Sequence, residues 1–341
     1  MDPTVYVPAY LERLYREAHP ELTHAACELL REQVERDPEA YATTEHAQAL
    51  VSYMRTHEHL MRELRRTDEL PDDEFERRCR ELYDESREDL SKIWHIDQLC
   101  IDAELVDILL ADVPLDDLLG DLLALEKRAR TYLQVNAAGF DMDAPAYWRG
   151  VDDEDLPRVW AAEPVAVGWL HTLECIAQAC IMTARYRAAA RYARQVMRAD
   201  GFGSGAVGTL LIALARLEDE GAFFAAVDDE RARGGDIDSS PWFLLARTVL
   251  LYKLDRERSA RRALRDFARR CEGGAYFLLN PTFHAPYLPV RPEPRDPWEL
   301  THQAVWEADG FLADTPDFAA WARTVEGVED AADEFARRYG F

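Results

Sequence analysis

A Gly203-x-Gly205-x-x-Gly208 run, with Asp228 about twenty residues beyond it, has the spacing of a dinucleotide-phosphate loop. That chemistry needs a strand before the first glycine, so that the start of a helix faces the pyrophosphate. The preceding residues, from Ala189 to Asp200, carry a helical apolar period instead. The glycines are therefore expected to join two helix pairs. His57-Glu58-His59 with Glu63, and His171 with Cys175, offer i,i+4 pairs that could be drawn as metal ligands. A zinc site recruits further ligands from another element. With 9 His and 65 acidic residues in the chain, such pairs arise by chance. No Ser, Cys or Thr nucleophile sits in a recognisable elbow or beside a motif-bound base. Neighbouring carboxylates, as at Asp116-Asp117 and Asp228-Asp229-Glu230, need burial before they change character. The expectation is a chain with no catalytic residues, no metal ligands and no cofactor.

Arginine placement is the pattern that remains. Arg187, Arg191, Arg194 and Arg198 follow i, i+4, i+7, i+11 and fall on one helical stripe. Arg258, Arg262, Arg265 and Arg269 repeat it, with Arg261 beside them and Ala260, Ala263, Leu264 and Phe267 opposite. Arginines on an outer face solubilise a helix and pair with nearby acids. A ridge of them can also dock an anionic partner, an acidic peptide or a phosphate group. The whole chain is acidic, with 65 Asp and Glu against 40 Lys and Arg and a net charge of −25. That field disfavours direct nucleic-acid binding and an anionic membrane surface. No targeting or spanning segment is expected, and six scattered cysteines without a C-x-x-C pair suit reduced, buried thiols of a cytoplasmic protein.

Almost every stretch of the chain that could carry these residues reads as helix. Apolar residues recur at three- and four-residue spacing, and strand-like alternation is nearly absent. Four helices are expected over 4–18, 21–36, 43–67 and 72–92. Helix pairs follow: one with apolar faces at Ile101, Leu105, Ile108, Leu109 and at Leu118, Leu119, Leu122, Leu125; then 167–199; 206–217 with 221–230; and 242–254 with 257–271. Ser240-Pro241 offers an N-cap and a proline at the first helical position. Six prolines make 280–297 a non-helical connection, after which helices resume over 298–312 and 318–325, with a last one ending near Tyr339. The irregular stretch 140–160, with Asp141, Asp143, Asp152, Asp153 and Asp155, is the seat expected for any enzyme or metal site, since function concentrates in long loops.

Two of these stretches resemble tetratricopeptide-repeat hairpins. Ala184, Tyr186, Ala189, Ala193 and Val196 match the turn and second helix of that repeat, and Ile176, Ala177 and Cys180 its first helix. The chain is further similar to a divergent bacterial group related to the suppressor-of-tumorigenicity-seven proteins. The likeness rests on Ile96-Asp97-Gln98-Leu99-Cys100-Ile101-Asp102-Ala103, on Asn280-Pro281 through Pro286-Tyr287-Leu288, and on Thr315-Pro316 with Trp321. It covers roughly residues 93–325, and the shared order of the pieces gives it weight. The group's Asn-rich turn with its Arg-Tyr is replaced here by Gly203-Ser204-Gly205-Ala206-Val207-Gly208-Thr209, so the role of that Arg is lost. The spacing from Asn-Pro to the next Pro is also longer by two residues. The resemblance implies an all-α, tetratricopeptide-like α-solenoid of stacked antiparallel hairpins over 93–279. An N-terminal helical segment over 1–92 would precede it, and a Pro-rich connection with capping helices over 280–341 would follow. It implies a non-catalytic scaffold or adaptor for a protein or peptide partner. The first helix of such a hairpin lines a concave face, which would place His171, Glu174, Gln178 and Met182 against a bound peptide.

Overall fold

The computed structural model describes residues 1–67, 70–148, 163–199, 201–202, 205–281 and 286–341. Among the described residues all repetitive structure is helical, as the apolar period predicts, and there is no strand. The chain divides into two compact units. One comprises Met1–Cys175, Gln195–Ser204 and Pro286–Pro292; the other comprises Ile176–Arg194, Gly205–Ala285 and Glu293–Phe341.

In the first unit, α1 (Pro3–Ala18) begins where the Asp2 carboxylate accepts the Thr4 N–H at 2.8 Å and Pro3 takes the first helical position. Thr23 caps α2 (His24–Arg36) through the Ala26 N–H. Then come α3 (Glu45–Thr67), α4 (Asp72–Ile96), α5 (Ile101–Leu110) and α6 (Leu115–Asn136). α1 packs on α2 and α3, and the following helices pack in succession, α3 on α4, α4 on α5 and α5 on α6. The core these faces form includes Val7, Leu11, Val34, Leu60, Leu82, Leu105 and Leu122, none more than 1% exposed. Burying each contributes about 1.5–3 kcal/mol before the chain entropy is set against it. The expected boundary at residue 92 falls within this unit, inside α4 and one turn before its end.

A short α7 (Pro145–Trp148) follows, and then α8 (Pro164–Met182), whose residues up to Cys175 belong to the first unit. α8 is the one described helix apolar and long enough to cross a bilayer, but 94% of that stretch is buried inside the protein. Gly168 lets it approach α5: a Cβ there would lie 2.7 Å from Cβ of Ile101.

The second unit is organised by three hairpins with one turn. The end of α8 leads into α9 (Tyr186–Val196), α10 (Ala206–Arg216) into α11 (Glu220–Ala232), and α12 (Pro241–Lys253) into α13 (Glu257–Arg270). Each three-residue link puts its middle residue in the left-handed region: Ala184 at φ 56°, Glu218 at 58° and Asp255 at 55°. The next N–H then reaches back to the first helix, Arg185 to the Cys180 carbonyl, Asp219 to Leu214 and Arg256 to Leu251, at 2.7–3.1 Å. Carbonyls that a helix end leaves unpaired are thereby satisfied, as in a Schellman turn. Buried positions repeat with the turns. Ala189, Phe223 and Ala260 lie five residues beyond the left-handed residue, Ala193, Val227 and Leu264 nine beyond, and all six are 0% exposed. α10 packs on α11 and α12, and α12 on α13. Ser240 takes the N-cap position of α12 with Pro241 after it, though its hydroxyl makes no capping bond.

The unit is closed by α14 (Gly274–Leu279), which the sequence does not announce, and by α15 (Pro297–Glu307), α16 (Asp309–Ala313), α17 (Asp317–Arg323) and α18 (Val328–Tyr339). α14 packs on α13, α15, α17 and α18. Of the three glycines with phosphate-loop spacing, expected to join two helix pairs, Gly203 lies outside the described residues. Gly208 sits inside α10, where a Cβ would fall 2.5 Å from Cδ1 of Trp242. It is a packing glycine, and Trp242 is held in place by its Nε1–H, which donates to Glu307 at 2.6 Å. Gly208→Ala is expected to destabilise the fold by about 1–3 kcal/mol through overpacking, measured by urea unfolding. Gly120→Ala, in the open middle of α6 with no atom within 4 Å of the new Cβ, is expected to stabilise it by up to about 1 kcal/mol.

Candidate functional site

The arginine stripes lie where the helical period puts them. Arg187, Arg191 and Arg194 are exposed on α9 and Arg198 in the turn just after it, and Arg258, Arg262, Arg265 and Arg269 are exposed on α13. The reason is local. The opposite face of α13 is closed by Ala260, Ala263, Leu264 and Phe267, so the guanidiniums can only point outward. Several are engaged: Arg198 donates to Asp143 at 2.6 Å and to the Met142 carbonyl at 2.8 Å, and Arg191 lies over the ring of Tyr192. On α13, Arg262 reaches the Ser259 hydroxyl at 3.4 Å and Arg269 pairs with Asp266 at 3.4 Å.

The end of α13, α18 and the start of α15 enclose a cleft of about 820 Å³. Arg265, Arg269, Arg270 and Arg338 line it, together with Glu272, Glu326 and Glu334. Glu272 is taken up by Arg338 at 3.0 Å and by the Tyr339 hydroxyl at 2.7 Å. Among the described residues neither Arg265 nor Arg270 makes an ion pair. They are the cations of the cleft that a ligand could take without breaking an existing pair. Cys271 also lines the cleft, but burial pushes its thiol up to about 12, so it carries little thiolate at neutral pH.

The concave-face residues are placed otherwise. His171, Glu174 and Gln178 are 1%, 2% and 2% exposed, and only Met182, at 40%, meets solvent. The peptide-binding face expected along α8 is thus corrected at His171, Glu174 and Gln178, whose side chains are buried and make internal bonds. In the first unit, His171 Nδ1 donates to Asp102 at 3.0 Å, the Tyr6 hydroxyl donates to the same carboxylate at 2.7 Å, and Nε2 faces the Met1 nitrogen at 2.9 Å. The Tyr287 hydroxyl donates to Glu174 at 3.1 Å. In the second unit, Gln178 donates to the Glu307 carbonyl at 3.0 Å, and the buried Glu307 carboxylate accepts from Gln303 and Trp242. Sequence reasoning missed Asp102, Tyr6 and Glu307. The signal for Asp102 was its place within the apolar run of α5, where a charge needs a buried partner.

The His171–Asp102 pair has the composition of a catalytic dyad, yet at 1% and 3% exposure it is closed to solvent. Burial alone would raise the Asp102 carboxyl, but the charge of His171 and the bonds from His171 and Tyr6 outweigh it and hold it below its ordinary range. Burial lowers His171, and Asp102 only partly offsets this. His57, also buried, is lowered by burial for the same reason. Its neighbours in the sequence turn elsewhere: His59 meets Arg62 at 3.0 Å and Glu63 meets Arg66 at 2.7 Å. The thiol of Cys175 is pushed well above its usual range by burial. Among the described residues no three His, Cys, Asp or Glu side chains converge with metal-binding geometry. In the acidic stretch, Asp141 accepts the Asp143 N–H at 2.9 Å. Asp152, Asp153 and Asp155 lie outside the described residues. Comparison with known protein families, curated proteins and solved structures returns no match.

The buried imidazoles make stability depend on pH with a definite sign. Both have folded values below the ordinary 6.5, so below about 6.5 the unfolded chain binds protons that the folded chain does not. Stability is expected to fall as pH drops from neutrality through those depressed values, by up to about 1.4 kcal/mol per pH unit for each group. The Asp102 contribution is lost only further down, below its ordinary 3.8. Thermal unfolding followed between pH ~7.5 and ~5 checks this: His57→Gln should flatten the acid limb. Parallel curves for the two proteins would mean that His57 titrates alike folded and unfolded.

Proposed function

We propose that the protein is a non-catalytic interaction scaffold of the tetratricopeptide-like kind, which holds an acidic segment of a protein partner on its arginine-bearing helices. The recurrence of one turn supports the repeat reading. Ala184, Glu218 and Asp255 stand 34 and 37 positions apart, with the same backbone closure and the same buried positions after each. A tetratricopeptide repeat is about 34 residues long.

The docking surface in this reading is the outer helix of the hairpins. The observation that carries it is the cleft at the end of α13, where Arg265 and Arg270 stand without ion-pair partners among the described residues, beside Arg269 and Arg338. A net charge of −25 does not prevent an acidic partner from approaching, since screening confines each charge to about 8 Å at physiological salt. Within that range the ridge is basic. Arginine suits the task because its planar fork grips a carboxylate through two parallel bonds.

Fluorescence anisotropy with an Asp- and Glu-rich peptide and a Lys-rich control tests the reading, alongside identification of proteins captured from native extract. Arg262→Glu with Arg265→Glu should weaken the acidic peptide by about tenfold or more, in a salt-dependent way, and leave the helical circular dichroism unchanged. Equal binding by parent and variant would remove the ridge from the proposal.

A further inference from the structure

The first helices of the three hairpins are covered by a later part of the same chain. α15 packs on α12, and α16 packs on α10. Trp242 Nε1–H on α12 donates to the Glu307 carboxylate at 2.6 Å, and the Gln178 amide near the end of α8 donates to the Glu307 carbonyl at 3.0 Å. Further along, the Tyr186 hydroxyl donates to the Gly310 carbonyl at 3.3 Å, and Arg216 at the end of α10 donates to Asp314 at 2.7 Å. Gly310 permits this approach, since a Cβ there would lie 3.0 Å from the Ile181 carbonyl oxygen and from Cα of Met182. All of these residues belong to the second unit. Beneath the covering segment, every residue of α10 from Gly208 to Ala215 is buried.

The segment has the pattern of an amphipathic helix laid in a groove. Thr301, Ala304, Val305 and Ala308 follow i, i+3, i+4, i+7, Phe311 comes three later, and none is more than 5% exposed. The seam beneath it is imperfectly matched. The Gln178 Oε1 atom is buried there with no hydrogen-bond partner among the described residues, so closing the seam leaves one acceptor desolvated and unpaid. The Arg216–Asp314 pair at its far end, with side chains 29% and 39% exposed, contributes little. We propose that Pro297–Ala313 is a self-occupying strap: it opens as a unit, and while seated it keeps the first-helix side of the hairpins from a partner helix of the same pattern. That pattern is small or apolar residues at the five buried positions and an acid where Glu307 meets Trp242. A tethered occupant acts at an effective concentration of about millimolar, so a free helix competes poorly until the strap is weakened. The proposal rests on the hairpin part of the scaffold reading. None of the ridge arginines takes part, so this strap and acidic-peptide binding can fail separately.

Hydrogen exchange of the full chain, followed by mass spectrometry, tests the opening. Amides of α15 and α16 are expected to exchange at least about tenfold faster than those of α10 and α12. Gly310→Val should speed α15 and α16 further and leave α10 and α12 unchanged. A labelled peptide with the sequence of residues 296–314 should bind Gly310→Val at least about tenfold tighter than it binds the parent chain. It should lose that binding when it carries Glu307→Lys. A strap that exchanges as slowly as α10, a peptide that binds variant and parent alike, or indifference to Glu307→Lys would each overturn the proposal. The exchange measurement needs no variant, so it decides even if Gly310→Val fails to fold.

Discussion

The constraint on which the second unit depends is a three-residue turn made without glycine. Placing Ala184, Glu218 and Asp255 in the left-handed region costs about 1–2 kcal/mol at each, because Cβ crowds the carbonyl. That strain persists because the turn satisfies carbonyls at the end of the first helix and fixes where the second begins. Once the start is fixed, burial follows from geometry. Positions five and nine residues on face inward every time, whether they hold Ala, Phe, Val or Leu. The opposite face of each second helix then points out, and in α9 and α13 many of the residues there are arginine. The ridge is therefore a consequence of the turn as much as of the arginines themselves.

Much of this was legible in the sequence. The helix boundaries of α1, α2, α3, α10, α12 and α13 fall within a few residues of the apolar periods that predicted them. The exposure of the arginine stripes followed from i, i+4 spacing alone. The turns were not legible in detail, since a left-handed residue is expected to be glycine and here is Ala, Glu or Asp. α8 misled for a different reason. Its His, Glu and Gln resemble the open face of a hairpin helix, and their partners lie far away in the chain: Asp102 is 69 positions from His171, Tyr287 113 from Glu174, and the Glu307 carbonyl 129 from Gln178. Local periodicity carries no information about bonds of that range.

The same helix shows how polar residues can specify the packing of a core. An unpaired carboxylate in an apolar interior is expensive, and one bonded to an imidazole and a phenol is not. Asp102 thus requires Tyr6 on α1 and His171 on α8 to be in register with α5. An apolar core tolerates sliding of one helix against another far better than this does. Burial also raises the thiols of Cys100 and Cys175 well above their usual range and that of Cys180 to about 11, which leaves these three little thiolate at neutral pH.

Electrostatics then decides which arginines can matter to a partner. An exposed ion pair is worth little, about 0–1 kcal/mol, because water and salt compete with it. Exchanging Arg269–Asp266 or Arg338–Glu272 for a pair with an incoming carboxylate returns roughly what it gives up. Among the described residues Arg265 and Arg270 hold no such pair to surrender, so a carboxylate reaching them would add a bond without breaking one. Glu326 and Glu334 on the same cleft penalise a ligand whose negative charge is spread evenly. In the proposed reading, a segment whose acids are spaced to meet Arg265 and Arg270 while clearing those two glutamates would be favoured, and this spacing, more than total charge, is where the cleft would discriminate.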